Sequence, residues 1–297
     1  MRRKILRVGQ SSMAVSLPSA WVKAKRLKAG QEVEVQESDG RLVVSSGIVP
    51  AHKEATIIVP SADLYANRLV NSPYIQGCDV IHVRFSDPKV RQKVQDGIQE
   101  LMGCDLFDQR RDSLTIKVIA EAKSEEFDSV FQRMLHLNRE IMEELAHAIR
   151  AGDRRLLEPI LAYEGTMNKL NIFCKRLLNN SPERPTSEIT ALYTSSGYLE
   201  EIADHLKHIN LFLQEQQRGW KGFVGELERT IAIHDEVAKL CHKPNVEGMA
   251  RLKQTIDVFK KGLLARMHAR KDLGYAYGML HTIVDNYRSI AEQLRFA

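Results

Sequence analysis

The spacing of hydrophobic residues changes twice along this chain of 297 residues. Before residue 47, apolar and polar side chains alternate over short runs, which is typical of strands. Between residues 52 and 120 strand-like runs alternate with helix-like runs, and from residue 124 apolar residues recur every three or four positions. The sequence therefore predicts a multidomain α+β protein with a β module at 1–47, an α+β middle domain at 52–120 and an all-helical domain at 124–297.

The β module is predicted to contain two short pairs of strands. The first pair lies at 5–8 and 13–17, and a short helix follows around Trp21. The second pair is a hairpin whose turn is Asp39-Gly40. About 45 residues with four short strands bury too little apolar surface to be stable alone. We therefore expect two identical copies to pair.

Positive charge is concentrated at the start of the chain. The whole sequence has a formal net charge of +5, but the first thirty residues contain eight cations and no acid, and the acids begin at Glu32. Such a segment is either a solvated face or tail, or a surface that neutralises the phosphates of a nucleic acid. The eight cations are Arg2, Arg3, Lys4, Arg7, Lys23, Lys25, Arg26 and Lys28.

The run VGQSSMAVSLPSAWVKAKRLKAGQEVEV resembles the AbrB/SpoVT/MazE swapped-hairpin module, and the resemblance spans residues 3–46. It includes the turn at Gly9, the strand that ends at Leu17-Pro18 and the following Trp21. The resemblance implies a DNA-binding homodimer in which two chains interlace into one β-barrel. Basic side chains would contact phosphates or groove edges, with short hydroxyl donors in the turn. The candidate DNA-binding residues are Arg2, Arg3, Lys4, Arg7, Ser11 and Ser12.

The middle domain shows no catalytic pattern. Its predicted order is βαβαββ, and it contains no glycine-rich phosphate loop. We interpret it as a structural or dimerising spacer, with a ligand pocket as the alternative. The predicted strands are 55–59, 80–85, 105–109 and 114–119, and the predicted helices are 62–70 and 90–102.

The helical domain is internally repeated. The run NIFCKRLL at 171–178 corresponds to DVFKKGLL at 257–264, and the flanking helices match in the same way. This correspondence indicates a duplicated three-helix unit and predicts two packed helical bundles. The six predicted helices are 125–150, 153–180, 186–217, 223–242, 246–270 and 272–295.

Three polar residues lie four apart on one face of the third of these helices. Glu200, Asp204 and His208 follow one another beside the apolar stripe of that helix. Two ionised carboxylates at this spacing repel, and a bound cation would remove the repulsion. Oxygen and imidazole donors together suit iron, zinc or manganese, whereas carboxylates with water suit magnesium. The alternative is a solvated acidic face.

The duplicated triplets and the run LEEIADHLKHI resemble the PhoU family, whose pattern on this helix is an ExxxD. In that family the acids bind metal clusters on the bundle surface and the proteins repress phosphate uptake. The resemblance implies Glu200 and Asp204 as metal ligands, with Glu164 of the preceding helix completing the site. Asn168 stands where the family has a second acid on that helix, and the second repeat has His281 in place of the glutamate.

Several classes of protein are excluded or disfavoured. No run approaches the ~20 apolar residues of a membrane-spanning helix, and the first residues lack the apolar run of a secretion signal. We expect a cytoplasmic protein without membrane insertion. No serine or cysteine lies at a recognisable spacing from a base, so we expect no enzyme. The four cysteines form no CxxC pair and are Cys78, Cys104, Cys174 and Cys241.

Two classes of function remain. The combination of modules resembles the archaeal phosphate-uptake regulators, which implies a DNA-binding transcriptional regulator with a helical sensor domain. Its partners would be DNA, a second copy of the chain and phosphate-transport or signalling proteins. The alternative is a metal-binding signalling adaptor for a phosphate transporter or kinase, in which the β module dimerises without binding DNA.

Overall fold

A computed structural model describes residues 2–9, 11–38, 40–46, 53–62, 65, 68–120, 124–181, 183–216 and 220–293. The chain divides after Lys53 into two compact units, 1–53 and 54–297. In the ranges just given, no helix is both long enough and apolar enough to cross a membrane.

The first unit contains two antiparallel strand pairs joined by a short helix. Strands β1, Ile5–Val8, and β2, Ser12–Val15, pair with Leu6 opposite Ala14. Helix α1, Ser19–Ala24, leads to the hairpin of β3, Glu34–Ser38, and β4, Arg41–Ser45. The alternating sequence pattern thus produces the strands that it predicts.

Details of this unit differ from the sequence prediction. The second strand ends at Val15, two residues before the predicted end, and residues 16–18 have no regular structure. Glycine at position 9 adopts a φ of +74°, a left-handed conformation that suits the tight turn between β1 and β2. Asp39 of the predicted hairpin turn lies outside the described residues.

The second unit begins with a four-stranded mixed sheet. The strand order is β5-β6-β8-β7, in which β5 is parallel to β6 and the other neighbours are antiparallel. The elements are β5, Glu54–Val59; α2, Asn71–Ile75; β6, Val80–Phe85; α3, Lys89–Ile98; β7, Cys104–Gln109; and β8, Ser113–Val118.

The βαβαββ order of this α+β layer agrees with the prediction, but its first helix is displaced. A helix was expected at 62–70, whereas the described residues 68–70 form a turn and the helix starts at Asn71. Pro73 lies in the first turn of α2, where its missing N–H has no intrahelical partner to lose. The apolar pattern at 62–70 therefore does not coincide with α2.

The rest of this unit is two three-helix repeats. The helices are α4, Phe127–Ala151; α5, Ala162–Asn179; α6, Thr186–Glu215; α7, Val224–His242; α8, Val246–Ala269; and α9, Gly274–Gln293. Helix α5 begins nine residues later than the predicted start at 153, because two 3-10 turns precede it, one of them at Pro159–Leu161. Helices of both repeats contribute to one continuous hydrophobic core.

A buried arginine joins the α+β layer to the first repeat. Arg176 of α5 is 3% exposed and donates hydrogen bonds of 2.8 Å to the carbonyls of Tyr74 and Cys78 and to the carboxylate of Asp79. Ile172, one turn earlier on α5, packs into the core of the layer. Since an unpaired buried guanidinium is costly, these contacts fix the layer against α5.

The core of the second repeat contains an uncharged histidine. His234 of α7 is 2% exposed, and its Nδ1 lies 3.0 Å from the hydroxyl of Tyr287 on α9. Burial lowers the pKa of His234 to about 4, because the low-dielectric core disfavours the charged imidazolium.

This burial predicts a pH-dependent stability of the helical repeats. The pKa of His234 in the folded protein lies below its ordinary value of 6.5. Its contribution to the free energy of unfolding is therefore complete above pH 6.5 and is lost as pH falls toward 4. We expect a loss of about 3 kcal/mol over that interval. Urea unfolding, followed by the circular dichroism signal of the helices, should show that His234→Phe loses less unfolding free energy than wild type over this pH interval. The exposed His242 of the same helix provides the control. A wild-type pH response in His234→Phe would contradict the prediction.

Candidate functional site

The first unit presents its cations to solvent. All eight basic side chains of the first thirty residues are exposed, including those of the candidate DNA-binding residues Arg2, Arg3 and Lys4. Arg7 lies in β1 opposite Met13, so its position is fixed by the strand ladder. No acidic residue precedes Glu32, and this part of the unit is therefore strongly electropositive.

The two candidate hydroxyl donors are also exposed. Ser11 lies in the turn as expected, whereas Ser12 is the first residue of β2 and pairs with Val8. Both residues belong to the β1–β2 hairpin, which also contains Arg7. The structure therefore brings one basic and two hydroxyl side chains of the predicted set into the same β-hairpin.

Apolar side chains of the first unit remain uncovered in the single chain. Among residues 2–46, wherever burial is described, Ser46 alone is buried. A concentration of exposed apolar side chains in so small a unit is typical of a surface that packs against another protein surface. The exposed fractions are 72% for Ile5, 56% for Leu6 and Val8, 70% for Met13, 51% for Val15 and Val43, 54% for Val35 and 69% for Leu42.

The candidate metal residues of the helical repeats are close together but already have a cation between them. The ammonium of Lys207 on α6 lies 3.0 Å from Glu164 on α5 and 3.7 Å from Asp204 on α6. His208 Nε2 lies 3.6 Å from the same carboxylate of Asp204. Lysine therefore supplies positive charge at the place where the sequence suggests a metal ion.

Glu200 has a separate basic neighbour. Burial raises the pKa of Glu200, and the positive charge of Lys175 on α5 acts in the opposite direction. Burial also lowers the pKa of Lys175, which the charge of Glu200 opposes. Asn168, which stands where the family has an acid, donates a 3.3 Å hydrogen bond to Glu164. The second and third helices of this repeat thus interact through the Lys207–Glu164 ion pair and through the opposite charges of Lys175 and Glu200.

The second repeat shows the same arrangement with different residues. Lys260 of α8 donates to both carboxylate oxygens of Asp285 on α9, and Arg288 approaches Asp285 at 3.1 Å. His281, which replaces the expected glutamate, lies 3.8 Å from Asp285. The acid of each repeat is therefore balanced by basic side chains of the protein.

As placed, these residues do not fit a metal ion. Within the described ranges, no group of three or more histidine, cysteine, aspartate or glutamate side chains could hold one. Lys207 is within 4 Å of two of the expected ligands, and a divalent cation at that point would be repelled by its ammonium. The metal site stays a prediction from sequence, and we assign no functional step to it.

Sequence reasoning did not identify the lysines of this region. Lys207 follows Asp204 by three residues on one helix, a spacing that places an acid and a base side by side. The Asp204–Lys207 pair could therefore have been predicted from the sequence. The pairing of Glu164 with Lys207 could not, because it depends on the packing of α5 against α6.

Two parts of the chain match models of known protein families. Residues 6–54 match the family model described as antidote-toxin recognition MazE, bacterial antitoxin. Residues 131–211 match the family model of the PhoU domain. The fold and the two matches define a multidomain protein with a small β unit and a helical domain. The chain carries a MazE/AbrB-like domain at its N-terminus and a PhoU domain in its helical region.

One solved structure is similar to part of this chain. It is the phosphate transport system regulatory protein PhoU from Streptococcus pneumoniae, with 18% sequence identity and a TM-score of 0.45. The similarity covers 58% of this chain and 92% of that chain. A search of the curated proteins finds no match.

The position of Lys207 predicts the effect of removing it. In Lys207→Met, Glu164 and Asp204 lose their shared cation, so we expect a loss of about 1 kcal/mol in stability and a gain in Mn²⁺ affinity. Isothermal titration of metal-free protein with Mn²⁺ measures the affinity. Lys253→Met, which removes a 3.0 Å contact between a lysine and a single carboxylate, that of Asp257, is the control and should gain no Mn²⁺ affinity. Equal Mn²⁺ binding by wild type and Lys207→Met would show that the lysine does not take the place of a metal.

Proposed function

We propose that this protein is a cytoplasmic DNA-binding transcriptional regulator of phosphate uptake that acts as a homodimer. The observation that carries the proposal is the surface of the first unit, where uncovered apolar side chains lie beside uncovered cations. The exposed apolar side chains account for the pairing of two copies, and the exposed cations account for the binding of DNA. The MazE/AbrB-like match over 6–54 and the PhoU match over 131–211 support this combination of roles.

Pairing of two copies removes the apolar side chains from water. Covering a valine, leucine or isoleucine contributes about 1.5–3 kcal/mol per side chain, so the eight exposed apolar residues of each copy supply a sufficient driving force. Interlaced hairpins would close the two separate strand pairs of each chain into one β-barrel, which also removes their open edges. A monomer would leave both edges and apolar side chains in solvent.

The paired unit would then bind DNA through its cations. Each lysine or arginine that neutralises a phosphate releases condensed counterions, and pairing doubles the number of such residues on one particle. We assign phosphate or groove contacts to the basic residues nearest the chain start and hydrogen bonds to the hydroxyls of the hairpin. The assigned residues are Arg2, Arg3, Lys4, Arg7, Ser11 and Ser12.

The helical domain is proposed to be the regulatory part. Its PhoU match supports phosphate uptake as the regulated process and phosphate-transport or signalling proteins as partners. A partner or effector that binds one packing of the two repeats better than another would shift the equilibrium between DNA-bound and free protein. No catalytic role is proposed for any residue.

DNA binding predicts a strong dependence on salt. Gel-shift titrations with genomic fragments should give a linear fall of log affinity with log salt, with a slope of about −0.9 per phosphate contact. Replacing Arg2, Arg3, Lys4 and Arg7 with alanine should flatten this slope. The control replaces four exposed cations of the second unit, Arg84, Lys89, Lys93 and Arg111, and should leave the slope unchanged. Absence of any complex near physiological salt would favour the adaptor without DNA binding.

Dimerisation through the first unit is tested with matched isoleucines. Ile5 is 72% exposed in the first unit and Ile58 is 75% exposed in the second. Ile5→Asp would place a charge in the proposed apolar interface, so sedimentation at micromolar concentration should shift from dimer toward monomer. Ile58→Asp should remain dimeric. A dimer mass for both variants would exclude pairing through this surface.

A further inference from the structure

An open cleft of about 700 Å³ lies between α7 and α8 of the second repeat. Its floor contains Ile233, Leu252 and Phe259, which are 3%, 4% and 7% exposed. Val258 lies on its rim and is 67% exposed. The cleft is distant in sequence from the DNA-binding residues and contains none of the predicted metal ligands.

The first repeat shows what the equivalent helix face does. The correspondence of 171–178 with 257–264 places Val258 and Phe259 at the positions of Ile172 and Phe173. Ile172 and Phe173 pack against the hydrophobic core of the α+β layer, and Ile172 is only 9% exposed. This face of α5 therefore binds another element of the protein.

The same correspondence extends to the polar contacts. Arg176, which donates hydrogen bonds to the carbonyls of Tyr74 and Cys78 and to Asp79, corresponds to Gly262 in the wall of the cleft. Asn180, whose side chain lies against Gly77 directly after α2, corresponds to Arg266, another cleft residue. Four positions that dock the α2 region in the first repeat thus line the open cleft in the second.

The rim of the cleft is basic. Three arginines, Arg229, Arg251 and Arg266, line it together with one acid, Glu236. The buried carboxylate of Glu226 is shared by Arg266 at 2.8 Å and Arg229 at 3.2 Å, so two guanidiniums meet one carboxylate.

The third arginine is more available. Arg251 is 73% exposed, and its nearest carboxylate, from Glu247, is 3.9 Å away. An apolar floor with a cationic rim complements a segment that has apolar side chains on one face and carboxylates beside them.

We infer that this cleft binds an acidic amphipathic helix of a partner protein. The apolar face of that helix covers Val258 and Phe259, as the α+β layer covers Ile172 and Phe173. The carboxylates and the C-terminal carbonyls of the partner helix contact Arg251 and the two guanidiniums that bind Glu226. In the first repeat, Asp79 and α2 contact Arg176 in a comparable way. The duplicated repeat therefore uses one helix face internally and the equivalent face for a partner.

Selection from a displayed peptide library tests the inference on the full-length protein. Peptides of about 14 residues are selected on wild type after removal of those that bind Val258→Asp. We expect apolar residues at i, i+3, i+4 and i+7 with aspartate or glutamate between them. Fluorescence anisotropy of the best labelled peptide should show about tenfold weaker binding to Val258→Asp and to Arg251→Glu.

The matched control is Val246→Asp. Val246 lies on the same helix with the same 67% exposure but outside the cleft, and its replacement should leave peptide affinity unchanged. Circular dichroism verifies that all variants remain folded. Selection of basic peptides, equal loss in Val246→Asp, or failure to obtain peptides sensitive to Val258→Asp would each overturn the inference. A second assay measures displacement of the bound dye 1-anilinonaphthalene-8-sulfonate by laurate. If laurate displaces the dye and no peptide is selected, the cleft is a site for a small amphiphile and the inference is overturned.

Discussion

The first unit cannot cover its apolar side chains within one chain, and the rest of the proposed function depends on that constraint. Its two strand pairs are too small to enclose residues such as Ile5, Met13 and Leu42, which remain more than two thirds exposed. In the proposed dimer, a second copy covers these side chains and brings two sets of cations together. The proposed dimerisation and the proposed DNA binding therefore rest on the same short hairpins, since the strand that carries Arg7 also carries Ile5, Leu6 and Val8.

The helical repeats illustrate how duplication and divergence act on one framework. Both repeats keep an aspartate on the third helix, Asp204 and Asp285, and both neutralise it with lysine. The lysines differ in origin, because Lys207 follows Asp204 on the same helix whereas Lys260 comes from the neighbouring helix. The need for positive charge is therefore shared, while the residue that supplies it is not.

Sequence patterns predicted most of the fold and less of the sites. The order of strands and helices followed from hydrophobic spacing, and family comparisons confirmed the MazE/AbrB-like and PhoU domains. The late start of α5 was missed because Pro159 and its flanking turns have an apolar pattern like that of a helix. The pairing of Glu164 with Lys207 could not be predicted, since it depends on the rotation of α5 against α6. The proposed barrel and metal ligands stay predictions.

The buried guanidinium of Arg176 has a mechanical consequence. Separating the sheet from the first bundle would break the three hydrogen bonds that Arg176 donates and expose the apolar contact made by Ile172. A displacement of α5 is therefore expected to carry the sheet with it. A small tilt of α5 would consequently swing the far edge of the sheet through a larger arc, as the long arm of a lever does.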